Sequence, residues 1–277
     1  MLLGYNTNGL AHHAAVEAIE LLAEIGYGSV ALTIDHGLLN PFNPHWRRQL
    51  EKIQNSLATV RMRSVVETGA RFLLDYRRKH EPTLVSADLA GRAKRIAFLK
   101  HAIEVAAELH SDCVSLWSGV VKDDANADPV WKRLIPGLRE VLDYAAERNV
   151  VLGFEPEPSM FIDTMARYQE LLDRLDAPHL RLTLDVGHLH CQGETPLADH
   201  IRRWASRIVN VHIEDMRAGV HEHLMFGEGE IDFPPVLQAF RDVGYSGALH
   251  VELSRHSHVG PTAAKQAFDF LSEIDAM

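Results

Sequence analysis

Four short, mostly apolar runs in the second half of the chain end in a group that can bind a cation. GFE reaches Glu155, LTLD reaches Asp185, VNVH reaches His212 and LHVE reaches Glu252. Taken alone, a carboxylate after such a run reads most simply as the cap of a following helix. Four in succession are harder to explain that way. Carboxylates held close together repel one another and rise in pKa unless a cation lies among them. Three carboxylates and one imidazole suit a fairly hard divalent ion, Mn²⁺ or Mg²⁺, with Co²⁺ or Zn²⁺ also able to take the set. An ion of that kind stabilises the ene-diolate left when a proton is taken from carbon beside a carbonyl. Two carboxylates on opposite sides of that carbon can invert it, one removing the proton and the other returning it. Return at the neighbouring carbon instead interconverts aldose and ketose.

These groups meet only if the runs are neighbouring strands ending at one rim. Strand-like runs occur at 2–6, 29–33, 62–67, 113–117, 150–155, 180–185, 208–213 and 248–253. They are short and apolar on both faces, as buried parallel strands are. Each is followed by a helical pattern, at 14–26, 46–60, 92–110, 130–149, 163–175, 196–207, 234–244 and 261–274. Eight strand–helix units predict an α/β chain folded as a single (β/α)8 TIM barrel domain over 1–277, with the site at the C-terminal ends of the strands. A doubly wound sheet is the alternative, but its nucleotide fingerprint is missing: the Gly-x-Gly at 227–229 does not directly follow a strand. The longest connection, 68–90, contains ARFLLDYRRKHEPTL and is either a clamp over the site or a surface excursion.

The segments GFEPEP (153–158), LDVGH (184–188), NVHIED (210–215), FGEGEIDF (226–233) and HVEL (250–253) carry a resemblance. The second half of the chain resembles the sugar phosphate isomerase/epimerase superfamily, the xylose isomerase-like TIM barrels, which include ketose 3-epimerases and endonuclease IV. The first half resembles it mainly in architecture. The resemblance implies that Glu155, Asp185, His212 and Glu252 hold a divalent metal and that Glu155 and Glu252 are also the catalytic acid and base. It implies that His188 touches substrate near the reacting carbons and that Arg217 binds a substrate hydroxyl. The implied activity is metal-dependent isomerisation or epimerisation of a sugar, sugar phosphate or polyol derivative, in a dimer or tetramer. The rival readings are a zinc-cluster phosphodiesterase of the endonuclease IV type and a barrel that binds carbohydrate without turnover.

Further residues carry weaker expectations. His221 and His223 lie where endonuclease IV has ligands of additional zinc ions, and His36 is either such a ligand or a substrate contact. The fourth run ends SLWSG, without the histidine that the zinc-cluster nuclease supplies there. Trp117 is expected to wall one face of a sugar or to fill core, and Glu67 to contact substrate or back a ligand. Arg71, Lys79 and His80 read more simply as a solvated charged face than as an anion site, and Glu157 as structural. His256 and His258 follow the last run and carry no assigned role. A net charge of -10 argues against nucleic acid as partner. Two cysteines make no disulfide framework, and no apolar run is long enough for a membrane. Without a signal-peptide pattern at the start, the expected setting is cytoplasmic.

Overall fold

Aliphatic runs with no polar face can only be buried as strands covered by helices. In the computed structural model, which describes residues 1–276, they close into a parallel barrel. Its strands are β1 (Leu2–Asn6), β2 (Ser29–Thr33), β3 (Arg63–Glu67), β4 (Val114–Leu116), β5 (Leu152–Phe154), β6 (Leu180–Asp185) and β7 (Ile208–Ile213). A hairpin, β8 (Asp215–Arg217) and β9 (Val220–Leu224), follows β7 outside the barrel. The last strand, β10 (Ala248–Val251), then pairs with both β7 and β1 and closes the ring. The predicted TIM barrel is therefore the fold, and its eight predicted strands are its eight strands.

Around the barrel lie α1 (Ala15–Ile25), α2 (Trp46–Val60), α3 (Leu89–Leu109), α4 (Ala127–Ala146), α5 (Met165–Leu175), α6 (Val186–Cys191), α7 (Leu197–Trp204), α8 (Phe233–Asp242) and α9 (Gly260–Asp275). Apolar faces such as Ile19 and Leu22, Ile53, Leu134 and Leu138, and Phe240 bury completely against the strands. Each such side chain contributes roughly 1.5–3 kcal/mol. Two elements were not expected. Helix α6 is one short turn system begun by Asp185, whose Oδ1 accepts from His188 N at 2.7 Å. The β8–β9 hairpin is the other. Among the described residues no helix is long and apolar enough to cross a membrane.

The barrel interior toward the mouth is polar. Ser29 donates to His250 Nε2 at 2.9 Å, His250 Nδ1 donates to Asn210 Oδ1 at 2.8 Å, and Asn210 Nδ2 donates to Glu67 Oε1 at 3.0 Å. The ring of His250 fits because β1 offers Gly4 beside it: a Cβ there would lie 2.3 Å from His250 Cδ2. Burial pushes His250 down to about 3, so it stays neutral.

The connection after β3 is not a loose surface excursion. Arg95 of α3 is buried and donates to three of its carbonyls: Pro82 O at 2.7 Å, Thr68 O at 3.1 Å and His80 O at 2.5 Å. Its guanidinium also lies 4.8 Å from the Trp117 ring centre. Burial lowers its pKa to about 9, and Glu81 works against that shift. A planar five-donor group is suited to binding several carbonyls at once, where a lysine is not.

Candidate metal centre and cavity

Register brings the four ligand candidates together. Asp185 of β6 pairs directly with His212 of β7, and His250 of β10 pairs with His212 from the other side. Glu155 and Glu252 each stand one residue past their strands, yet their backbones remain pinned: Glu155 N donates to Leu116 O at 2.8 Å and Glu252 N to Ile213 O at 3.2 Å. His212 Nδ1 lies 3.0 Å from Glu155 Oε1, 3.0 Å from Glu252 Oε2 and 3.8 Å from Asp185 Oδ2. One donor atom from each of the four falls within 4.8 Å of the others.

The other edge of the same ring is held from behind. His212 Nε2 donates to Glu67 Oε1 at 2.9 Å. Glu67 borders the cavity and uses one oxygen, Oε1, for both His212 and Asn210, which places it behind the His212 ring. Carboxylates only accept, so both nitrogens of His212 serve as donors in this arrangement. Burial opposes an imidazolium, but Glu67, Glu155 and Glu252 outweigh it and push His212 well above its ordinary range. Burial drives Glu155 up to about 7, while the charge on His212 holds Glu252 below the usual carboxylate range against its own burial.

The donor set fits a divalent ion. Asp185 Oδ2 is buried and has no hydrogen-bond partner, which leaves an acceptor facing the cluster. A cation among the carboxylates would take the place of the proton on His212 Nδ1, while Nε2–H stays on Glu67. That carboxylate–histidine pairing is what orients metal-binding imidazoles.

Above the cluster opens a cavity of about 490 Å³, lined among others by Asn8, Arg71, Lys79, Trp117, Glu157 and Arg255. Arg71, Lys79 and His80 thus border the cavity, where the sequence read more simply as a solvated face. Burial pushes His80 down to about 4, which leaves it uncharged. His188 is brought beside the cluster, 3.6 Å from Glu155 Oε1 and 3.5 Å from Asp185 Oδ2. His221 and His223 project from β9 into the cavity, with His221 Nε2 3.1 Å from His188 Nε2.

Two residues expected at the site do not line this cavity. Arg217 is exposed on the hairpin and donates to Glu228 O at 3.0 Å, away from the cavity, because β8 turns its side chain outward. His36 sits in an exposed turn between Asp35 and Leu38 and borders a separate, smaller depression of about 220 Å³. His256 and His258 also lie outside the cavity lining.

The sequence reading missed three supporting residues. Asn8 Nδ2 donates to Glu252 Oε1 at 2.6 Å. Glu214 is fully buried, with both oxygens unbonded and Oε1 3.7 Å from His223 Nδ1. Its position two residues beyond His212, on the same strand face, was the available signal. Burial, then Asp185, pushes Glu214 well above its ordinary range. Asp215 explains the FGEGEIDF stretch: its carboxylate accepts from Gly227 N, Gly229 N and Ile231 N at 2.9, 2.9 and 3.1 Å. A Cβ at position 229 would lie 2.2 Å from Asp215 Oδ1, so that loop needs its glycine.

The family model for the xylose isomerase-like TIM barrel matches residues 19–274. The chain belongs to that family. The barrel is 25% identical to L-ribulose-5-phosphate 3-epimerase UlaE of Salmonella paratyphi A, over 90% of this chain and 85% of the relative. It superposes on 3-keto-D-glucoside 4-epimerase YcjR from E. coli with a TM-score of 0.78 at 16% identity, covering 100% of both chains. The IOLI protein, solved with a bound zinc atom, gives a TM-score of 0.78 at 19% identity over 99% of this chain and 98% of that one. At these identities the two solved structures support the fold alone.

Proposed function

We propose that this protein is a divalent metal-dependent epimerase or isomerase of a sugar or sugar derivative, working by proton transfer through an ene-diolate. The observation that carries this reading is the convergence of Glu155, Asp185, His212 and Glu252 within 4.8 Å at the base of a sugar-sized cavity. The epimerase activity of the relative UlaE supports it. The four residues would hold the ion, Mn²⁺, Mg²⁺, Co²⁺ or Zn²⁺, which would polarise the carbonyl and offset the developing charge. Glu155 and Glu252 reach the cluster from well-separated strands, an arrangement suited to removing a proton from one side and returning it from the other. Asn8 fixes the Glu252 carboxylate through one oxygen and leaves the second for the site. Trp117 offers an apolar wall, and His188 a neutral imidazole near the reacting carbons, since burial pushes it down to about 3.

Metal analysis of washed protein, paired with ketose turnover in D₂O, tests the proposal. The expected result is one tightly held ion per chain, lost in Asp185→Asn, and deuterium taken up beside the carbonyl. Full turnover in metal-stripped protein would sink it.

A second reading has its own observation. His188, His221 and His223 offer three imidazole nitrogens close enough to share a further ion, as a zinc-cluster phosphodiesterase requires. Trp117 stands at the end of β4, where that chemistry needs a ligand. Two or more zinc ions per chain together with phosphodiester cleavage would favour it over the epimerase.

A further inference from the structure

The proposed proton transfer leaves His223, and the buried Glu214 behind it, without a task. We infer that the two act as a pair: Glu214 holds one edge of the His223 ring, and the other edge binds a hydroxyl of the substrate. This rests on the reading of the site proposed above and adds to it one substrate-binding residue and one positioning residue.

Glu214 is completely buried, and neither of its oxygens has a hydrogen-bond partner among the described residues. A carboxyl group in that state costs stability, and in a native chain it calls for a neighbour that it serves. That neighbour is His223. Its Nδ1 lies 3.7 Å from Glu214 Oε1 and is itself buried and unbonded. Gly187 of α6 makes room for the carboxyl: a Cβ there would lie 2.1 Å from Glu214 Oε1. Glycine is a poor helix former, so space rather than helix propensity accounts for it at this position.

Side chains alternate along a strand, so His221 and His223 share one face of β9, and both line the cavity. The two rings differ in what they have left to offer. His221 turns Nε2 to His188 Nε2 at 3.1 Å, and the same nitrogen lies 3.7 Å from Glu157 Oε1. His223 turns Nδ1 to Glu214, which leaves Nε2 for the cavity. The contact made by one nitrogen of an imidazole decides what the other presents. Only 12% of the His223 side chain is exposed, so the ring is held in place rather than loose in solvent. Its hairpin is held as well. Gly219 N donates to Cys191 O at 2.9 Å, and Arg255 pairs with Glu222 at 2.6 Å.

The test uses metal-loaded protein, a reactive ketose and a set of polyols, which lack the carbonyl and so bind without reacting. His223→Ala should raise the KM of the ketose and the Kd of a polyol of the same length about tenfold, the effect of one hydrogen bond, with kcat within about twofold. Glu214→Met keeps the length of the side chain and removes the carboxyl. It should raise both constants by a similar factor, and the double variant should bind no worse than either single variant. Glu214→Gln, which can still bond to Nδ1, should recover most of the affinity. Glu214→Met should also unfold at an equal or higher urea concentration than the wild type, because it removes an unpaired buried carboxyl. A lower midpoint gives Glu214 a structural role and overturns the inference. If no ketose reacts but polyol binding still depends on both residues, the epimerase reading fails and the pair stands. Unchanged KM and Kd in His223→Ala overturn the pair. So does loss of a metal ion in His223→Ala or Glu214→Met, which would make the ring a ligand of a further ion.

Discussion

Some of the groups that line the cavity grow out of strand ends, and others ride on a loop. Glu155, Asp185, His212 and Glu252 inherit their positions from barrel register, with His212 paired to a neighbour on each side. Arg71 and Lys79 take theirs from a loop that the buried Arg95 gathers through the carbonyls of Thr68, His80 and Pro82, and that His80 N closes onto Arg71 O. The acidic wall is therefore as rigid as the sheet. The basic wall is as rigid as a loop's hydrogen bonds, those of Arg95 beneath it and those of His80 to Arg71 O and Gly69 O across its neck. Ion chemistry requires sub-ångström placement, which a barrel supplies. Recognition of a ligand's far end tolerates a loop, and loops are where binding groups commonly sit.

The two walls should fail differently when cut. The largest effect is expected at the strand ends. Glu155→Gln and Glu252→Gln, each measured with metal content in parallel, should lose turnover by roughly 10²–10⁴, the scale of a positioned acid or base. Robust turnover in the metal-loaded double variant would show that these two carboxylates do not move the proton. Next comes the loop anchor. Arg95→Met should cost about 2–4 kcal/mol in urea unfolding, because it strands buried carbonyls. It should also expose residues 70–88 to proteolysis while leaving metal content unchanged. Loss of the metal together with the loop would mean the two walls are one unit, and the contrast would collapse.

Smaller effects sharpen the same contrast. Glu67→Gln keeps the size of the group that backs His212 but removes its charge. Metal affinity should fall about 10–100-fold, the usual cost of losing such a partner, with little change in overall stability. Metal titration by competition with a chelator reads this directly. The smallest effect is expected at Arg217. Its side chain is turned out of the cavity, so Arg217→Ala should leave KM within about twofold, as surface changes generally do. A tenfold rise in KM would bring the hairpin into the substrate's reach and contradict the geometry described here.

The acidic wall was legible in the sequence because strands have a period of two and helices follow them at regular spacing. Once eight units are counted, strand ends share a rim, and a carboxylate or imidazole at such an end has only one place to go. Glu214 was within reach of the same logic, two residues past His212. The basic wall was not legible. Nothing in ARFLLDYRRKHEPTL says which of its five basic residues face inward, since an irregular loop has no period from which to infer direction. Arg217 shows the converse: it follows a strand end closely, but a hairpin intervenes and reverses its outlook.

The sequence by itself determined the closed α/β barrel, the positions of its strands and the group of residues able to hold an ion, because burial and periodicity act locally and leave a pattern. Only the tertiary structure decided which nitrogen of His212 faces the cluster and that Glu67 stands behind it. It also decided that Arg71 and Lys79 border the cavity while Arg217 and His36 do not. Those outcomes depend on contacts between residues far apart in the chain: Glu67 with His212, Asn8 with Glu252, Arg95 with the loop carbonyls. Such contacts are set by how strands and loops meet in space, and no local pattern records them.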